Sequence, residues 1–140
     1  MKRLAVGLLV LFGATTGAQQ VVSPEIPFDS VPNALKLPAG MNLGEGAGVA
    51  INSKAHLFVF TRANVSGPAF GATAAQLLEF GPDGKFIREI GKGLYAFSYA
   101  HVVRIDKDDN IWCVDKGSDM VVKFDRDGHV LMVFGRKKEA

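Results

Sequence analysis

The sequence predicts an all-β chain built from a repeated four-stranded unit, and three observations predict it. Val49 to Phe60 aligns without gaps on Val103 to Val114, and Gln76 to Gly91 aligns on Met120 to Gly135. Within each copy, short apolar runs alternate at the strand period around polar turns. Beyond residue 18 no helical periodicity is found. A repeat of this length made of short strands cannot bury its faces alone, so it points to a propeller or another closed array. Only two copies are present, which makes the chain a two-blade portion of such an array.

The N-terminus reads as a secretory signal peptide over residues 1–18. Met1-Lys-Arg is positive, Leu4 to Phe12 is apolar, and Thr16-Gly-Ala18 is a small-residue cleavage site before Gln19. The apolar run falls well short of the about 20 residues that span a bilayer. Cleavage after Ala18 makes the protein secreted or periplasmic, and a membrane partner enters only if the segment is retained as an anchor. Cleavage also removes Lys2 and Arg3, so 16 basic residues become 14 against 14 acidic ones and the formal charge falls from +2 to zero. No basic stripe with interleaved aromatics remains, which argues against a nucleic-acid partner.

Residues 19–44 carry Pro24, Pro27 and Pro32 and no clean period, giving an extended lead-in with one possible edge strand at Ala34 to Pro38. Gly44 to Gly48 is glycine-rich but opens no helix, so it does not form a phosphate-cradling loop. Residues 45–136 form the two blades and 137–140 a tail. In the first hairpin of each copy, Asn52 to His56 and Asp106 to Asn110 are the turns. In the second, Asp83-Gly84 and Asp127-Gly128 supply the positive φ that such turns require. The first copy carries an insertion, Thr61 to Ala75, rich in Gly, Ala, Ser and Thr and placed on one rim, where binding sites are commonly built.

Candidate chemistry is sparse. His56 and His129 fall in polar turns and are expected to face solvent, while His101 follows Tyr95, Phe97 and Tyr99 at the start of an inner strand. Arg62 ends a strand and reads either as a surface residue or as a bidentate carboxylate clamp. Cys113 has no cysteine partner and, between Trp112 and Val114, is expected to be a buried thiol. Asp106, Asp108 and Asp109 do not make an EF-hand, since Ile111 stands at the required glycine and Gly117 at the required acid. Asn64-Val-Ser66 fits a glycosylation sequon, which matters only in a eukaryotic secretory route.

Asp106-Lys-Asp-Asp-Asn-Ile-Trp-Cys-Val-Asp-Lys-Gly-Ser-Asp-Met-Val-Val-Lys-Phe-Asp-Arg-Asp-Gly128 resembles an NHL repeat. More narrowly, Val49-Ala-Ile-Asn52, Phe58-Val-Phe-Thr-Arg62 and Tyr99-Ala-His101-Val-Val-Arg-Ile-Asp106 resemble the opening blades of peptidyl-α-hydroxyglycine α-amidating lyase. The resemblance implies a six-bladed propeller that splits a peptidyl-hydroxyglycine into the peptide amide and glyoxylate. It implies that His101 is the first of three zinc histidines, that Val49 and Val103 offer backbone carbonyls to calcium, and that Arg62 holds the substrate carboxylate. Val102 stands where that family tends to have glycine, and the remaining ligands and the catalytic tyrosine would come from later blades. Zinc and calcium are therefore expected of a complete ring, with neither held tightly by this chain alone. The substrate is expected to be a small peptide-like molecule. The rival reading is a non-catalytic scaffold binding a peptide, glycan or protein on its rim, and two open blades also offer edges for self-association.

Overall fold

The computed structural model describes residues 23–62 and 75–137. The expected signal peptide, the sequon and the last three residues lie outside the described residues, as does the insertion between Arg62 and Ala75. The chain divides into two units, residues 1–30 and 31–140. In the first, residues 23–30 form no helix or strand and are exposed.

The second unit contains eight described strands: β1 (Gly46–Ile51), β2 (Leu57–Thr61), β3 (Gln76–Phe80), β4 (Phe86–Ile90), β5 (Ala100–Ile105), β6 (Ile111–Asp115), β7 (Met120–Phe124) and β8 (Val130–Gly135). They form two four-stranded antiparallel meanders in the orders β1-β2-β3-β4 and β5-β6-β7-β8, each the four-stranded blade that the repeat predicts. The irregularities repeat as well. Each inner strand carries a bulge near its start, between Gly46 and Gly48 and between Ala100 and Val102. Ala55 and Asp109 share positive φ at matching turn positions, as do Gly84 and Gly128.

The core lies between the blades. Phe58, Phe60, Leu77 and Ile90 from the first meet Phe97, Val103, Ile111, Cys113, Val122 and Phe124 from the second. Phe97 sits between the others at the centre, its ring 4.9 Å from Phe60 and 5.9 Å from Phe124. Strand alternation sends one apolar row of each blade into this seam and the other row away from it. Cys113 is fully buried there, and burial pushes its thiol far up, which removes it from thiolate chemistry.

At the seam, β1 runs beside β5. A Cβ on Gly48 would lie 3.0 Å from Val103 N and 3.3 Å from Val102 Cα, both backbone atoms. Gly48→Val is therefore expected to cost about 1–3 kcal/mol by forcing the inner strands apart. Gly46→Ala, with nothing within 4 Å of its Cβ, serves as the control and is expected to change stability by less than about 0.5 kcal/mol. Urea denaturation of the two variants checks the difference.

The lead-in does more than its composition indicates. Leu35, Leu37, Met41 and Leu43 pack on Val59, Leu78 and Phe80, covering the face of the first blade that points away from the seam. The expected edge strand is a single parallel bridge, Lys36 to Lys85, in which Lys36 N donates to Gly84 O at 2.8 Å. A Cβ on Gly84 would collide with the Ala34 carbonyl at 1.9 Å, so glycine there serves both the turn and the docking of this segment. The cover stops short of the inner strand, leaving Val49 60% and Ile51 64% exposed. Strand β8 is exposed along its whole length, with Phe134 at 71%.

Candidate functional site

The candidate site is the rim where β2 ends and β5 begins. Arg62, the first residue after β2, is held on four sides. Its backbone N donates to Glu45 O at 2.9 Å. Its Nε donates to Ala100 O at 3.1 Å, its Nη1 donates to Glu45 Oε1 at 2.5 Å, and its guanidinium lies 3.9 Å from the Tyr99 ring centroid. Stacking on an aromatic face while donating in plane suits a guanidinium and would not suit an ammonium. The result is a cation, mostly shielded, whose carboxylate partner Glu45 is 64% exposed.

His101 belongs to the same rim. It is the residue left over at the β5 bulge, between Ala100, paired with Asp115, and Val102, paired with Val114. A bulge re-aims the extra side chain, and His101 is exposed there. Its repeat partner is Ala47, on the equivalent bulge of β1. Arg62 thus bonds across the seam to the carbonyl of the peptide unit that precedes His101.

The approach to His101 is fixed from below by Asp115. Its carboxylate is buried and accepts backbone N–H bonds from Ser98 and Tyr99 on Oδ2, at 2.9 and 2.8 Å, and from Ser118 on Oδ1 at 2.9 Å. Lys116 N adds a bond to Tyr99 O at 2.9 Å. Lys137, expected to open a tail, instead sends its ammonium to Ser98 Oγ at 2.7 Å and over the Tyr95 ring. Thr61, the repeat partner of Asp115, performs the matching task in the first blade, its hydroxyl donating toward the Leu43 and Glu45 carbonyls.

Val49 and Val103 occupy matching registers, opposite Val59 and Cys113. Their surroundings differ, because Val103 faces the seam and is fully buried while Val49 is exposed. The Val103 carbonyl accepts a bond from Arg104 Nη1 at 2.9 Å. A cation coordinating that oxygen would share it with a guanidinium, through the second lone pair of the carbonyl. For zinc, the described residues supply one imidazole at this rim, where a tetrahedral ligand set is required. Among them the one cluster of three groups with metal-ligand spacing is Asp125, Asp127 and His129, on the β7–β8 turn.

The other histidines divide. His129 is exposed as expected, with Nδ1 3.0 Å from Asp125 Oδ2. His56 is not free in solvent. It is half-buried, with Nδ1 2.7 Å from Glu79 Oε1, because β2–β3 pairing brings that buried carboxylate beneath the turn. The acidic turn at Asp106 is structural. Its carboxylate accepts from the Trp112 indole, the Asn110 amide and two backbone N–H groups, which together hold its pKa far below the usual range.

No family model and no curated protein matches this sequence. Among solved structures, virginiamycin B lyase from Staphylococcus aureus is similar at 12% identity, over 67% of this chain and 28% of that one, with a TM-score of 0.48. A protein of unknown function from Bacteroides caccae is similar at 15% identity, over 74% of this chain and 34% of that one, with a TM-score of 0.44. The chain spans about a third or less of the length of these two structures.

Proposed function

We propose that the Arg62–Tyr99–His101 rim reads the carboxylate of a small peptide-like substrate, as part of an exported six-bladed NHL-type propeller with amidating-lyase chemistry. The observation that carries the reading is the Arg62–Glu45 pair. A preorganised guanidinium holds an exposed, replaceable carboxylate at 2.5 Å. Glu45 stands where a substrate carboxylate would stand, and its side chain is 64% exposed.

In the proposed reaction a base takes the proton of the substrate's hydroxyl, the C–N bond breaks, and the departing amide nitrogen gains a proton. The products are the peptide amide and glyoxylate. This chain's part is to bind and orient. Arg62 fixes the carboxylate, Tyr99 and Ala100 fix Arg62, and the bulge presents His101 to the same space. The described residues supply neither the base nor a full ligand set for zinc or calcium. His101 would contribute one zinc ligand to a larger ring.

The scaffold reading is favoured by one feature of the same residue. Glu45, Ala100 and Tyr99 already complete a set of partners that locks the first blade to the second. Calorimetric titration with glyoxylate separates the two. The lyase reading expects Arg62→Gln to abolish binding and Glu45→Gln to tighten it about two- to fivefold, by removing an internal competitor of surface-pair strength. Equal affinity in wild type and both variants, or no binding by any, would leave Arg62 a purely structural lock.

A further inference from the structure

We infer that the opposite rim of the seam holds a second site, which binds a compact tetrahedral oxyanion such as a phosphate group between Lys54 of the first blade and Arg126 of the second. A cavity of about 220 Å³ opens there between the turns of the two blades, lined by Lys54, His56, Glu79, Arg88, Asp109 and Arg126 among others. It lies at the β1–β2, β5–β6 and β7–β8 turns, away from Arg62 and His101 at the strand ends across the blade.

The floor of this cavity is built from partnered side chains. Glu79, with a side chain only 6% exposed, accepts from Arg88 Nε at 2.6 Å and pairs with His56 Nδ1 at 2.7 Å. Arg88 also donates across the seam, Nη1 to Asp127 O and Nη2 to Arg126 O, at 2.5 and 2.7 Å, which leaves two of its five N–H groups spare. Asp109, in a left-handed conformation at φ 63°, reaches back across the seam to Ser53 N and Ser53 Oγ, at 2.9 and 2.5 Å. Those two bonds hold its carboxyl below the usual range, with Arg126 and Lys54 adding to the effect through space.

The bookkeeping of donors and acceptors decides the sign of the ligand. Glu79 and Asp109 have their oxygens engaged, and an Asp127 carboxylate oxygen lies within 4.8 Å of ligand atoms of Asp125 and His129. Lys54 and Arg126 are exposed and make no side-chain hydrogen bond or ion pair among the described residues. With Nδ1 donating to the Glu79 carboxylate, His56 Nε2 is an acceptor in the neutral ring and adds no donor to the cavity. Spare donors on Lys54, Arg126 and Arg88 therefore line the cavity from both blades, which suits an anion with several oxygens. Such a ligand would bridge the seam where Ser53–Asp109 and Arg88–Arg126 already tie it.

Inorganic phosphate is the probe, titrated into the full chain at constant ionic strength with chloride as the balancing salt. Backbone amide shifts in ¹⁵N NMR spectra are expected to move saturably at Lys54, His56 and Arg126, and not at Arg62 or His101. Lys54→Gln combined with Arg126→Gln is expected to weaken binding at least about tenfold, while Arg62→Gln leaves it unchanged. Both substituted side chains are exposed turn residues, so the fold should survive. Unchanged affinity in the double variant, shifts centred on Arg62, or no saturable shifts would each overturn the assignment. The wild-type shift map decides the matter even if the double variant does not fold.

Discussion

Phe97→Ala is expected to destabilise the protein by about 3–5 kcal/mol, the range for deleting a large buried aromatic. The size of the effect follows from position. Phe97 is 1% exposed and touches Phe60 of the first blade and Phe124 of the second at tilted ring geometry. Truncation leaves a cavity where both blades contribute rings, and neither can collapse into it without dragging a strand. The seam should loosen first, releasing the Arg62 to Ala100 contact before either meander melts. Phe97→Leu, which retains most of the apolar contact, should cost less than half as much. Urea denaturation followed by far-UV and aromatic probes checks both values. A cost below about 1 kcal/mol for Phe97→Ala would mean that the two blades do not share this core.

Asp115→Ala is expected to cost about 3 kcal/mol or more, because three backbone donors lose one buried, charged acceptor together. Ser98 N, Tyr99 N and Ser118 N converge on that carboxylate, and Ser98 and Ser118 are themselves buried. Water cannot replace the acceptor without entering the loop. Asp115→Asn keeps one oxygen but turns an N–H₂ group toward donors, so it should fall between wild type and alanine. Amide hydrogen exchange gives a readout that overall stability does not. Exchange at Ser98 and Tyr99 should accelerate well beyond that of the β2 and β3 amides. Uniform acceleration across both blades would show that Asp115 supports the whole fold and not the approach to His101.

The blades were legible because their information is local. Asp83-Gly84 and Asp127-Gly128 announce turns by backbone chemistry alone, and strand alternation marks which residues face a sheet. The buried state of Cys113 followed from its strand context in the same way. The contacts that build the site are not local. Arg62 meets Ala100 and Glu45, and Asp109 meets Ser53, through the packing of one blade on another, which no period or turn signal encodes. His56 looked like a solvent residue because its partner Glu79 lies on the next strand, in a register that only pairing fixes. The lead-in escaped for another reason. Leu35, Leu37, Met41 and Leu43 alternate well enough, but Pro38 and Gly40 interrupt them, so they cover a sheet face without forming a strand. One signal was present and unused: aligning the repeats sets His101 opposite Ala47, at the residue where each inner strand bulges.

The most direct test of the central claim, that Arg62 on this rim is a carboxylate reader, is a crystal structure of the chain grown with glyoxylate. The account predicts the glyoxylate carboxylate seated on the Arg62 guanidinium, Tyr99 still stacked beneath it, Nε still on Ala100 O, and Glu45 turned out to solvent. Glu45 remaining on Arg62, with glyoxylate bound elsewhere or absent, would contradict it.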